Sequence, residues 1–247
     1  MTMSPEFWLH LALCIGALVI GGVLKGATGA GAPIVAVPVI SLFYGVQSAI
    51  VAMVVSNLLS NVLQGWRYRA DLPKGPFVWT LAGGGLLGAA LGTVMLAHVA
   101  PDLLLQTMAV IIMAYIVFRV SRPDWGLSQQ AAGRLALPVG VAGGLLQGAT
   151  GISAPVSISF VNALRMPRAQ FVATVSLFFS AMTLAQIPFL VGYGILTLHG
   201  LVISTGAFLV ILAAMPAGEA LARRLSAAVF DRLILALLGV IVLKILI

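Results

Sequence analysis

GGVLKGATGAGAP at residues 21–33 and GGLLQGATGISAP at residues 143–155 agree at nine of thirteen positions, at an offset of 122. That offset is close to half of a 247-residue chain, so the protein is a duplicated unit. Both copies lie between apolar runs. Irregular backbone is tolerated inside a bilayer only where it faces protein or a wet cavity.

Working outward, the composition leaves little choice of solvent. The chain is 61% hydrophobic and 8% charged, with a mean hydropathy of +1.15. No water-soluble domain could cover that apolar surface with so few charges. Breaks at polar, Pro and Gly positions predict helices at 7–24, 33–43, 46–66, 76–97, 102–120, 134–147, 154–164, 168–192, 197–221 and 226–246. About eight are long enough to span a bilayer, and two are short. No hydrophilic block is long enough for a separate domain, so 1–247 reads as one membrane domain, with repeat 1 at 1–122 and repeat 2 at 123–247. The first apolar run lacks the basic flank of a signal peptide and reads as a retained helix. A lone Cys14 excludes an internal disulfide or a CxxC motif.

The formal charge of +7 does not point to nucleic acid, because the basic residues sit singly or in pairs between apolar stretches, as topology signals do. Eleven of the thirteen fall in four connections: Arg67, Arg69 and Lys74; Arg119, Arg122 and Arg134; Arg165 and Arg168; Arg223, Arg224 and Arg232. The alternate connections, near 1–6, 43–46, 98–102 and 193–200, hold no Lys or Arg. The first set is therefore expected on the cytoplasmic side, with both termini periplasmic. Helix 46–66 then runs inward and helix 168–192 outward, which makes the repeats inverted. The fold expected is an all-α polytopic membrane protein of two inverted repeats, each a re-entrant or broken helix pair followed by three transmembrane helices. Inverted repeats commonly serve alternating access to a midplane site.

The glycine motifs are candidates for that site. Pro33 and Pro155 suit the first turn of a helix, so each half presents a helix N-terminus, with unpaired N–H groups and partial positive charge, at mid-membrane depth. The candidate anion cradle comprises Gly26, Thr28, Gly29 and Gly31 in one half and Gly148, Thr150, Gly151 and Ser153 in the other. Lys25, with Gln147 as its counterpart, adds an intramembrane ionisable group; the bland alternative is a lysine that snorkels to the interface. Thr28 and Thr150 either bind or merely cap helices. Asn57 and Asn61, with Gln64, share one helical face, as do Ser176 and Ser180 with Thr183; these residues, and Gln186 with them, are either anion donors or interhelical glue. Gly84, Gly88 and Gly92 read as packing. The acids Glu6, Asp71, Asp102, Asp124, Glu219 and Asp231 and the three histidines lie near connections, which argues against a cation substrate. No catalytic residue, metal site or cofactor is expected.

The paired GATG motifs, each followed by Pro, the Ser/Asn-rich helix after the first and the half-chain duplication resemble the sulfite exporter TauE/SafE family over essentially the whole chain. The resemblance implies export of a small sulfur-containing anion, such as sulfite or an organosulfonate, across a bacterial inner membrane. It puts Gly26, Ala27, Thr28, Gly29 and Pro33, with Gly148, Ala149, Thr150, Gly151 and Pro155, in the motif positions. The chain departs from many members in a less glycine-rich first motif and in lacking second-half counterparts to Asn57 and Asn61. An intramembrane enzyme is disfavoured, since there is no Ser/His nucleophile context and no HExxH. An anion channel and a non-transporting scaffold remain as alternatives. The partners expected are a small anion and the lipid bilayer, without nucleic acid; a homo-oligomer is left open.

Overall fold

The computed structural model describes residues 4–122, 125–222, 235–236, 238–240 and 243. The predicted helix 226–246 lies largely outside these residues, as do Asp124, Arg223, Arg224, Asp231, Arg232 and Lys244. Among the described residues the chain is helical, with no strand. The helices are α1 (Pro5–Thr28), α2 (Ala32–Arg67), α3 (Phe77–His98), α4 (Pro101–Ser121), α5 (Gln129–Thr150), α6 (Ala154–Asn162), α7 (Arg168–Gly192) and α8 (Leu198–Ala222). Six of them, all but α5 and α6, are long and apolar enough to cross a membrane.

Local sequence explains the ends. Ser4 caps α1, its side chain accepting from Phe7 N, and Pro5 occupies the first turn. Pro33, Pro101 and Pro155 take the same place in α2, α4 and α6. The predicted helices 33–43 and 46–66 are the two parts of α2, separated by a break at Gly45, whose φ of 79° and ψ of 162° leave the helical region. Glycine supplies that conformation without a Cβ clash. The helix predicted at 134–147 extends to Gln129–Thr150, because Ser128 caps it by accepting from Ala131 N.

Packing follows the logic of a protein dissolved in lipid, where small residues mark helix interfaces. On α3, Gly84, Gly88 and Gly92 face α5, whereas Leu86, Leu87 and Leu91 are exposed. A Cβ on Gly88 would lie 2.1 Å from the Val141 carbonyl oxygen, and one on Gly144 2.2 Å from that of Gly85. The contacts climb together, Gly84 with Leu137 and Gly92 with Leu145, so α3 and α5 run parallel. In the same way α1 runs parallel to α8, through Gly22 against Ile211 and Gly26 against Met215. The second part of α2 also runs parallel to α8: Ser204 Oγ donates to Ala52 O and accepts from Val55 N, and further along Arg67 pairs with Glu219 at 3.3 Å.

Substituting Gly144→Val drives a branched side chain into the α3 backbone. Overpacking of this kind costs about 1–3 kcal/mol, which lowers the melting temperature of a chain this size by roughly 2–12 °C. Gly83→Ala, with nothing within 4 Å of the added carbon, should melt with the parent in the same thermal assay.

The two halves are interleaved. Gly29 packs on Val172, and Gly151 packs on Ile50. Gly26 meets Met215, and Gly148 meets Thr93; Gly22 meets Ile211, and Gly144 meets Ala89. In every case the second contact is the first with one partner moved up by 122 residues and the other down by 122. Each half thus lends its glycine motif to the helices of the other.

Candidate functional site

Each GATG stretch is the corner of a helical hairpin. Gly29 (φ 83°) caps α1 and Gly151 (φ 75°) caps α5, both left-handed, with Gly29 N donating to Lys25 O at 2.8 Å and Gly151 N to Gln147 O at 2.9 Å. Thr28 Oγ1 donates to Leu24 O and Thr150 Oγ1 to Leu146 O, while Ala30 N and Ile152 N donate back to those hydroxyls. The two threonines therefore have the capping role in matching geometry. The C-terminal carbonyls of α1 take a further donor from the other half, since Arg168 at the start of α7 lies 3.3 Å from Gly26 O and 3.2 Å from Ala27 O.

Behind the corners sits a polar cluster. Lys25 is 2% exposed, and its Nζ donates to Asn61 Oδ1 at 2.8 Å. The lysine does not reach an interface, and its partner is an amide rather than a carboxylate. Asn61 is oriented in turn, because its Nδ2 donates to Asn57 O at 2.7 Å. Lys25, Gly31, Pro33, Asn57 and Asn61 form one wall of a cavity of about 20 Å³, and Gln147, Phe179 and Thr183 from the second half complete it. That volume is close to what one water needs, so any larger solute requires the walls to part.

The long helices also hold the hairpins. Gln64 Nε2 lies 3.5 Å from Lys25 O, and Gln186 Nε2 lies 3.5 Å from both Gln147 O and Gly148 O. Gln64 and Gln186 stand 122 residues apart, the offset of the motifs. At this offset Phe179 and Thr183 correspond to Asn57 and Asn61. Ser176 and Ser180 are not the counterparts of Ser56 and Ser60, from which they differ by 120; Phe178 and Met182 take the equivalent places. The signal for Gln64, Gln186 and Thr183 was present in the sequence, in the repeat offset.

The other expected residues are placed as follows. Gly26 and Gly148 face α8 and α3, where a Cβ would lie 2.0 Å from Met215 O and 2.4 Å from Ala89 O. Gly29 and Gly151 turn the corners, and neither they nor Thr150 line the small cavity. Ser153 and Ser176 are buried, and their hydroxyls have no hydrogen-bond partner among the described residues. Ser180 is buried outside the cavity wall. No group of three or more His, Cys, Asp or Glu gathers to hold a metal among the described residues.

A second, larger cavity of about 620 Å³ opens next to the first, and Gly31 borders both. Arg119, Arg122, Arg165 and Arg168 line it, together with Thr28 of the first motif.

Apolar spans, interfaces built on glycine and a polar cluster walled by two matching hairpins define a multi-pass helical membrane protein with its polar residues turned inward. The family described as Sulfite exporter TauE/SafE matches residues 13–245, and the chain belongs to it. Membership makes it a membrane transporter of the class that exports sulfur anions. Comparison with curated proteins and with solved structures gives no match.

Proposed function

We propose that the chain exports a small sulfur oxyanion, sulfite or a short organosulfonate, by alternating access at the cavity that Lys25 and Asn61 share with Gln147 and Thr183. The observation that carries this reading is a fully buried lysine whose cavity wall comes from both halves, so any rocking of one half on the other opens or closes the site. Intramembrane ionisable groups are costly to place and mark solute pathways. Polar donors without a facing carboxylate favour an anion.

In this reading 1–122 and 123–247 are inverted repeats of one domain. The reciprocal contacts at an offset of 122 support a two-fold relation. The inversion is supported by the parallel course of 46–67 and α8, since α8 follows α7 after the short 193–197 connection, which sets α7 against its counterpart 46–67. The basic connections face the cytoplasm of a bacterial cell, and both termini face the periplasm. Gly29 and Gly31 (φ 105°), in the link to the broken helix α2, supply the hinge-like backbone.

Two measurements test this. In a Cys14→Ala background, an impermeant thiol reagent applied to whole cells should label Val99→Cys and leave Asp71→Cys untouched; equal labelling would sink the inverted topology. In proteoliposomes, sulfite flux should saturate and show counterflow. A flux that rises without saturation would mark a channel, and none at all with intact folding would mark a scaffold.

A further inference from the structure

We propose that the 620 Å³ cavity on the arginine-rich side is a separate binding site for sulfur oxyanions, a vestibule that collects the anion before it passes Gly31 to the lysine. This rests on the export reading for its place in transport, though not for its affinity for anions. Arg119 and Arg122 come from the end of α4, Arg165 from the connection after α6 and Arg168 from the start of α7. Two segments, 119–122 and 165–168, thus bring four arginines to one concave surface. Among the described residues the lining holds four Arg and no Asp or Glu. A cleft lined by one sign of charge focuses its field and raises the local concentration of counter-ions, and guanidinium forks match the geometry of oxyanions.

One further feature points to a ligand rather than to a topology signal alone. Trp125 borders the cavity and stands edge-on to Phe118, with ring centroids 5.3 Å apart, giving an apolar wall for the carbon of a sulfonate. The cavity is some thirty times larger than the one at Lys25, so a short organosulfonate fits here with the walls as they stand. Arg168 also holds Gly26 O and Ala27 O and is kept intact in the test.

Trp125 supplies the reporter. In a Trp8→Phe/Trp66→Phe/Trp79→Phe background, quenching of Trp125 by iodide, an anion, is compared with quenching by neutral acrylamide. The site predicts that Arg122→Gln/Arg165→Gln lowers iodide quenching about three-fold or more while acrylamide quenching holds. Sulfite and ethanesulfonate should each protect Trp125 from iodide, and stronger protection by ethanesulfonate would assign the aromatic wall to the carbon chain. Lysine at both positions should restore most of the effect, and high ionic strength should erase it. In flux assays the glutamine variant should raise KM several-fold with Vmax within two-fold. Iodide quenching equal in parent and glutamine variant, both folded by thermal melting, would overturn the vestibule. If sulfite and ethanesulfonate give no protection, the sulfur-oxyanion assignment falls. If quenching and protection behave as expected but no sulfite flux exists, the vestibule stands and the export reading is the one that fails.

Discussion

Lys25→Gln is expected to cut sulfite flux at sub-saturating concentration by about 10- to 100-fold, with the melting temperature within a few degrees of the parent. A hydrogen bond to a charged group is worth about 1.5–3 kcal/mol, and each 1.4 kcal/mol is a factor of ten in affinity. The fold should tolerate the change because Gln147 occupies the equivalent place in the second half, on the same backbone geometry. Glutamine can also still donate to Asn61, whose Oδ1 would otherwise lose its donor. The readout is KM and Vmax in proteoliposomes beside a melting curve in detergent. Unchanged flux in a folded variant would remove Lys25 from the substrate's path. The exchange Lys25→Gln/Gln147→Lys should recover part of the loss, since both positions face one cavity; it should not recover all of it, because the neighbour there is Thr183 rather than Asn61.

The second large effect is on stability. Gly29→Ala places a Cβ at φ 83° and 2.5 Å from Val172 Cγ2. A left-handed conformation costs a residue with a Cβ roughly 1–2 kcal/mol, and the crowding adds about 1–3 kcal/mol. Together they lower the melting temperature by roughly 5–15 °C. Val172→Ala should relieve the crowding and leave the backbone cost, a coupling of about 1 kcal/mol in a double-mutant cycle. Gly151→Ala should couple to Ile50→Ala in the same way, while the crossed pairs, 29 with 50 and 151 with 172, should be additive. Coupling in the crossed pairs, or none in the direct ones, would contradict the exchange of contacts between the halves. The cycle isolates this contact because each direct pair joins a hairpin of one half to a helix of the other.

The membrane class, the duplication and the hairpin corners were legible in the residues themselves, because each rests on local chemistry. Apolar runs choose lipid, Pro opens a helix, and Gly alone takes a left-handed corner without strain. Lys25 stood out for the same reason, as a basic residue away from every connection. The partners of these residues were not legible. In a soluble helix the apolar face marks the core, but here apolar side chains face both lipid and interior: Leu91 is exposed and Leu96 buried on the same helix. Periodicity therefore does not tell which face turns inward. The 122-residue offset paired Phe179 and Thr183 with Asn57 and Asn61, but that these two rather than Ser176 and Ser180 wall the cavity followed from how α7 is rotated against the first hairpin.

The sequence by itself determined what dissolves this protein, that it is one unit written twice, and where its backbone must bend. Only the tertiary structure decided that each hairpin packs on the opposite half, that Lys25 meets Asn61 at 2.8 Å, and that four arginines from two segments, 119–122 and 165–168, share one cavity. The physical reason is that composition and turn chemistry act within a few residues, whereas the site is made by glycine contacts between helices remote in sequence, and those are set by how closely two backbones approach.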